Sequence, residues 1–270
     1  LESGQVFHWQ RAGNGYAGVI GDVPVQVEQA ADCLLVSPGT GDLAARYFAL
    51  DHPLAEVYAT FPPDEHMAAA LAACRGLRII RQPLWECLAT FITSALKQVA
   101  HIAQISHLLR RRFGQPVDTF AGGDLFAYPT VDRVAALDEA DLRACGLGFR
   151  ARTLLATARK LAAGGGAGEL ESFRSLDHAA ALQALCAFPG VGTKVANCVL
   201  LFGYERLDAF PIDVWIERVL RERYFKGRRK VTARRLAGFS QGYFGAYGGY
   251  AQQYLFHHAR TTMPRKKRTC

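Results

Sequence analysis

The sequence has little that would cross-link a fold. Its seven cysteines, at 33, 74, 87, 145, 186, 198 and 270, lie far apart, and no two are spaced Cys-x-x-Cys. That pattern argues against zinc and iron–sulfur ligand runs, and the odd count argues against a disulfide framework. A reducing, intracellular compartment is the expectation. No apolar run reaches the roughly 18 to 20 residues that span a bilayer, so no membrane partner is expected. No secretory leader is legible from Leu1 onward, and no internal repeat is present.

Positive charge is what the chain has in excess. Its 270 residues hold 32 Lys and Arg against 24 Asp and Glu, a net charge of +8. Such a balance favours polyanions through counterion release without specifying one. The charge is uneven: residues 218–235 hold nine Lys or Arg, and Arg265-Lys266-Lys267-Arg268 adds four. The first cluster reads equally well as a solvated helix face. Half of the residues are apolar, enough for one large domain or two smaller ones.

Val23, Val25 and Val27 alternate with Pro24, Gln26 and Glu28, the period of a strand with one buried face. Pro24 has no N–H to donate, which places this strand at an edge or pairs it on one side. Gly13-Asn14-Gly15 and Gly21-Asp22 mark turns, and Cys33 to Val36 reads as another short strand. Helices are expected from about Asp42. Leu84, Cys87, Leu88 and Phe91 recur at i, i+3, i+4 and i+7, one apolar helix face. Further helices are expected over 99–113, 131–137, 139–145, 150–163, 178–188, 193–202, 214–224 and 247–259, with glycine-rich 162–168 as a loop. The fold class is α+β: a small N-terminal antiparallel β-sheet domain over 1–80, an all-α domain over 81–260 and a basic tail over 261–270.

The most informative segment is Leu185-Cys186-Ala187-Phe188-Pro189-Gly190-Val191-Gly192-Thr193-Lys194-Val195-Ala196. A helix ends at Phe188, since Pro189 disfavours helix in the residue before it. Gly190 and Gly192 then allow a tight turn with amides facing outward, and a second helix follows with Gly203 as its stop. Bare amides at a helix N-terminus bind phosphate without reading sequence, although Pro-Gly-x-Gly alone is also an ordinary helix connection.

This segment, over 178–203, resembles the helix-hairpin-helix of the DNA glycosylase superfamily, and its Gly-Thr-Lys-Val-Ala run is closest to the 8-oxoguanine DNA glycosylase/AP lyase branch. The resemblance extends from Ser3-Gly4-Gln5 to Phe256. It implies a monomer acting on double-stranded DNA that contains an oxidised purine, in the cytoplasm or nucleoid of a bacterium or in the nucleus of a eukaryote. It implies no required cofactor and no iron–sulfur cluster, with a monovalent cation on the carbonyls of Cys186, Phe188 and Val191. It also implies that Gly190, Gly192 and Thr193 grip DNA and that Lys194 is the nucleophile. Only a neutral amine attacks C1′, and the first turn of a helix disfavours an ammonium.

Phe210-Pro211-Ile212-Asp213-Val214-Trp215 resembles the family element whose aspartate serves the lysine, which makes Asp213 the second catalytic candidate. A carboxylate stabilises positive charge developing on the sugar; as an N-cap it would also be fixed in place. Ser3-Gly4-Gln5-Val6-Phe7-His8-Trp9 resembles the segment that assigns a lesion-reading carbonyl to Gly4, since N7 of 8-oxoguanine donates where that of guanine accepts. Tyr250 to Phe256 resembles the segment whose glutamine, Gln252, reads the base edge and whose Phe256 stacks on the base, with Cys198 opposite. Read on their own, Gly4 is a turn glycine, Phe256 and Cys198 are core residues, and Gln252 is an exposed amide.

The chain departs from the animal enzymes where they meet the orphaned strand. Ala95, Leu96, Lys97 and Gln98 stand where those enzymes carry asparagines, His101 replaces an arginine that reads cytosine, and Arg150 and Phe149 match the second arginine and an aromatic wedge. Trp215 and Ala259 replace a histidine and its aspartate. Lys97, Gln98, His101, Phe149 and Arg150 are thus the expected DNA contacts, and a weaker selectivity for cytosine is expected. The competing expectations are an alkylated-purine glycosylase, which would lack Lys194; a thymine-glycol enzyme, which would carry an iron–sulfur loop; and a catalytically silent DNA-binding module.

Overall fold

Alternation along residues 23–30 produces the centre of a four-stranded antiparallel sheet in the computed structural model, which describes residues 1–94, 98–118, 124–227 and 231–264. Its strands are β1 (Gln10–Ala12), β2 (Gly15–Ile20), β3 (Val23–Ala30) and β4 (Cys33–Val36), in that order. Helices α1 (Gly41–Tyr47), α2 (Leu54–Ala59) and α3 (Glu65–Cys74) follow, then α4 (Leu84–Thr93) and α5 (Val99–Phe113). A small ribbon of β5 (Pro116–Val117) and β6 (Leu125–Phe126) precedes α6 (Val131–Ala135), α7 (Glu139–Ala144), α8 (Arg150–Gly164) and α9 (Ala167–Ser172). The hairpin helices are α10 (His178–Cys186) and α11 (Thr193–Phe202). The order closes with α12 (Val214–Val219), α13 (Ala233–Phe244) and α14 (Gly248–Thr262).

Pro24 pairs with Val19 of β2, whereas β4 joins β3 only from Val27 to Ala30. The proline is therefore tolerated in a strand that has neighbours on both sides, because its own position is paired on one side alone. Val25 and Val27 point into a cluster with Val6, Ile20, Tyr47, Phe48 and Ile80. Gly21, at φ +66, opens the two-residue turn that joins β2 to β3.

The expected loop over 162–168 is corrected. Helix α8 runs through Ala162 and Ala163 to Gly164, and Ala167 already begins α9, leaving only Gly165 and Gly166 outside helix. Both have positive φ, +117 and +66, so two glycines suffice for the reversal while the alanines continue the helices. The helix expected over 214–224 keeps its span but widens into one π turn over Leu220–Tyr224.

The chain forms two compact units that interleave along the sequence, whereas the expected domains follow one another in order at 80. One comprises Leu1–Asp51 and Ile80–Glu205, the other His52–Ile79 and Arg206–Cys270. In the first, α4 is buried along its whole length and packs against α8 and α11. Arg81 ties two places where the chain leaves this unit: it donates to both Asp51 carboxylate oxygens, at 2.6 and 2.8 Å, and to Glu205 Oε1 at 2.6 Å. In the second, α3 packs on α14, with Tyr250 and Tyr254 fully buried. The Tyr254 hydroxyl donates to the Leu77 carbonyl at 2.9 Å.

Candidate DNA-binding and catalytic site

The hairpin forms because α10 runs out at Cys186 and Pro189 bars a further turn, while Phe188 and Val191 stay buried as its anchors. Gly190 sits at φ +73, a conformation that suits glycine. Gly192 differs from the expectation that both glycines serve the turn. Its φ of −93 and ψ of 178 are extended backbone open to any residue, and a side chain there would point into open space. What it does supply is absence: as the N-cap of α11 it has no side-chain oxygen, so the first-turn amides are left without an internal cap.

Helix α8 braces this turn with one face. Thr157 Oγ1 donates to the Pro189 carbonyl at 3.0 Å, and Lys160 Nζ donates to the Ala187 carbonyl at 2.9 Å. The Thr153 methyl fills the space where a Gly190 side chain would be. No motif marks these residues. Their spacing, with 153 and 157 one turn apart and 160 three residues on, was the only available signal.

Thr193 and Lys194 are the first two residues of α11. Lys194 is half-buried, and its Nζ lies 5.1 Å from the centroid of Phe91, which itself stacks on Phe202 at 5.4 Å and 10°. Cys198 follows one turn later, buried. The thiol of buried Cys87 is pushed up first by burial and then by the negative charge that Cys198 would carry, with Lys194 opposing the shift. Gly4 has φ +92. The loop around it is laced down by Gln5, whose side chain accepts from Ile80 N at 2.9 Å and whose carbonyl accepts from Gln82 Nε2 at 2.8 Å. Gln82 N donates in turn to the Phe202 carbonyl at the end of α11. Gly4 and Lys194 thus belong to one hydrogen-bonded framework, which the motifs alone did not reveal.

The remaining pocket candidates lie in the second unit. Asp213 caps α12, accepting from Trp215 N at 3.0 Å and Ile216 N at 2.8 Å. Gln252 is not the exposed amide that its residue type suggests: it is 2% exposed, donates to the Pro211 carbonyl at 3.0 Å and accepts from Gln253 at 2.7 Å. The correction has a physical reason, because a buried amide must satisfy both ends, and Pro211 and Gln253 do so. This bond also pins the backbone two residues before Asp213. Phe256, one turn after Gln252, is half-buried, with the Arg260 guanidinium 5.6 Å from its ring.

In the first unit, His101 Nε2 lies 3.5 Å from where a Gly146 side chain would begin, against the turn that carries Phe149 and Arg150. Phe149 is 61% exposed, and the Arg150 guanidinium sits 4.7 Å from its ring. Three of the five expected opposing-strand contacts are thereby brought to one place. Gln98 is the N-cap of α5, and Lys97 lies outside the described residues. Among the described residues no three His, Cys, Asp or Glu are grouped to hold a metal, and no helix is long and apolar enough to cross a membrane.

An uncapped helix N-terminus behind a Pro-Gly turn, with a lysine in its first turn, coincides with two family matches. Residues 1–88 match the 8-oxoguanine DNA glycosylase N-terminal domain, and residues 89–239 match the HhH-GPD superfamily of base excision DNA repair proteins. The chain belongs to that superfamily. It is 30% identical to the N-glycosylase/DNA lyase OGG1 of Arabidopsis thaliana, with 94% of this chain covered and 74% of the relative. It is equally 30% identical to a probable N-glycosylase/DNA lyase of Methanothermobacter thermautotrophicus, covering 88% of this chain and 82% of the other. Among solved structures, the Clostridium acetobutylicum 8-oxoguanine glycosylase/lyase bound to DNA with cytosine opposite 8-oxoguanine superposes with a TM-score of 0.89 at 29% identity. It covers 97% of this chain and 90% of that one.

Proposed function

We infer that this HhH-GPD protein is a bifunctional DNA glycosylase and AP lyase that excises 8-oxoguanine from duplex DNA. The observation that carries the reading is Lys194 in the first turn of α11, directly behind the hairpin, in a chain that also has the 8-oxoguanine-type N-terminal domain. The damaged nucleotide is flipped from the stack. Lys194 Nζ, as the free amine, attacks C1′; the bond from C1′ to N9 breaks, and the base leaves with the electron pair and a proton. The sugar ring opens to a Schiff base on Nζ. Loss of a C2′ proton then expels the 3′ phosphate by β-elimination, and water releases the lysine. Asp213, held as an N-cap, stabilises the positive charge at C1′ in the first step.

The pocket roles are those that the sequence resemblance implies. The Gly4 carbonyl accepts from N7–H of the lesion, Phe256 and Cys198 flank the base, and Gln252 exchanges its internal partners for the base edge. Gly190, Gly192 and Thr193 take a phosphate, while His101, Phe149, Arg150 and Gln98 serve the opposing strand, as does Lys97 by the resemblance alone. A DNA substrate fits an intracellular, DNA-associated protein, in the cytoplasm or nucleoid of a bacterium or the nucleus of a eukaryote, and the resemblance implies a monomer. A catalytically silent DNA-binding module is disfavoured, because Lys194 and Asp213 are both present.

Borohydride trapping on duplexes carrying 8-oxoguanine, uracil, thymine glycol or an alkylated purine tests this. The expected result is a covalent adduct on the 8-oxoguanine duplex that Lys194→Gln abolishes along with strand cleavage, while DNA binding persists. Wild-type trapping yield in that variant would assign the chemistry to another amine.

A further inference from the structure

The hairpin brings together two helix ends of opposite polarity. The C-terminal carbonyls of α10 face the same turn from which the N-terminal amides of α11 open, with only five residues, 188 to 192, after the C-cap Ala187 and before α11 begins. A phosphate approaching those amides meets the partial negative charge of α10 at close range. A positive group on the carbonyl end would offset that charge and favour the anion. The expected occupant is a monovalent ion on the carbonyls of Cys186, Phe188 and Val191. The Phe188 carbonyl accepts from Val191 N at 3.2 Å, so one of its lone pairs is engaged within the turn.

A positive group from the chain itself already lies at this end. Lys160 Nζ donates to the Ala187 carbonyl at 2.9 Å and lies 5.1 Å from the Phe188 ring centroid, while its side chain remains exposed at the surface. Thr157 and Thr153 on the same face of α8 pack on the turn at Pro189 and Gly190, so the carbonyl that Lys160 meets is held beside α8. Ala187 follows Cys186 and precedes Phe188 in the chain, so an ammonium bonded there and an ion on those carbonyls would share one turn and repel each other.

We propose that Lys160 is the hairpin's tethered cation: its ammonium neutralises the end of α10, so that DNA binding at α11 does not depend on a free monovalent ion. Lys160 is in this view a positioning residue that acts through the turn. The inference rests on the hairpin being a DNA-binding surface, as proposed above.

The test is fluorescence anisotropy with a duplex carrying an uncleavable abasic analogue, at constant ionic strength, with either potassium or tetramethylammonium as the salt cation. Tetramethylammonium is too large to lodge among backbone carbonyls. The unmodified protein should bind within about twofold in the two salts, whereas Lys160→Met should bind about tenfold more weakly in tetramethylammonium and recover most of that in potassium. A steep potassium requirement in the unmodified protein overturns the proposal, as does a Lys160→Met variant that is insensitive to the cation. A fall of about 0.9 in the salt slope of the variant would also overturn it, since that marks a lysine bound to phosphate. Absence of DNA binding by the unmodified protein in both salts would instead refute the function proposed above.

Discussion

Helices α11 and α12 start in opposite ways. Helix α11 opens on Gly192, which offers its amides nothing, whereas α12 opens on Asp213, whose carboxylate takes the amides of Trp215 and Ile216. The same local dipole therefore serves two ends: left bare it attracts a ligand's anion, and filled from within it fixes the protein's own carboxylate. The two starts carry the two proposed catalytic residues, Lys194 just inside one and Asp213 at the other. Helices α5 and α8 resemble α11 in having no side-chain cap, and their N-caps are Gln98 and Phe149, both proposed to meet DNA. Helices α3, α10 and α13 are capped by Asp64, Asp177 and Thr232. Helices α1, α2, α4, α9 and α14 also start without a side-chain cap and carry no proposed contact there, so a bare start alone does not mark a DNA contact.

The contrast can be broken from either side. The largest effect is expected at α12: Asp213→Asn keeps a capping oxygen but removes the charge, so excision should fall on the order of 10²- to 10³-fold with the melting temperature nearly unchanged. Single-turnover excision and thermal melting read the two together. Loss of stability with little loss of rate would make Asp213 a cap and nothing more.

Converting α11 into a copy of α12 is the reverse experiment. Gly192→Asp should add a few tenths of a kcal/mol to stability, because the backbone there is already extended and the space is open. The same carboxylate should weaken binding to any duplex by roughly tenfold to a hundredfold, through repulsion of the phosphate. Binding that survives, or that falls for lesion DNA alone, would place the phosphate elsewhere.

A smaller effect is expected at the uncapped starts of α5 and α8, which carry His101 and Arg150. Arg150 is present, but His101 stands where a second arginine would read cytosine, and losing one bidentate reader removes about 1–3 kcal/mol of discrimination. Excision opposite adenine, guanine and thymine should therefore compete with that opposite cytosine, and His101→Arg should sharpen the preference. Rates on four duplexes decide it; a cytosine preference above roughly a thousandfold in the unmodified protein would rule it out.

The smallest effect concerns the fold itself. Gly190→Ala should cost about 1–3 kcal/mol, since φ is +73 and the added carbon meets the Thr153 methyl. Gly192→Ala should cost almost nothing in the same melting experiment. Equal losses would mean that the two glycines do the same work after all.

These glycines show where sequence and tertiary structure divide the labour. The amino-acid sequence by itself determined the features that depend on a few neighbouring residues. These are the period-two strand at 23–27, the glycine turn at 21, the helix stop before Pro189, the hairpin, and the capping role available to Asp213, because backbone sterics and side-chain hydrogen bonds act over a turn or less. Only the tertiary structure decided what each group meets. Gln252 reads as a polar surface residue until Pro211, 41 positions away, accepts from its amide. Lys160 reads as a solvated lysine until the end of α10 arrives 27 positions later. The alanines of 162–168 read as loop beside their glycines until α8 and α9 carry them as helix. The interleaving of the two units was illegible for the same reason: burial and charge compensation depend on partners distant in the chain, and no local propensity encodes who those partners are.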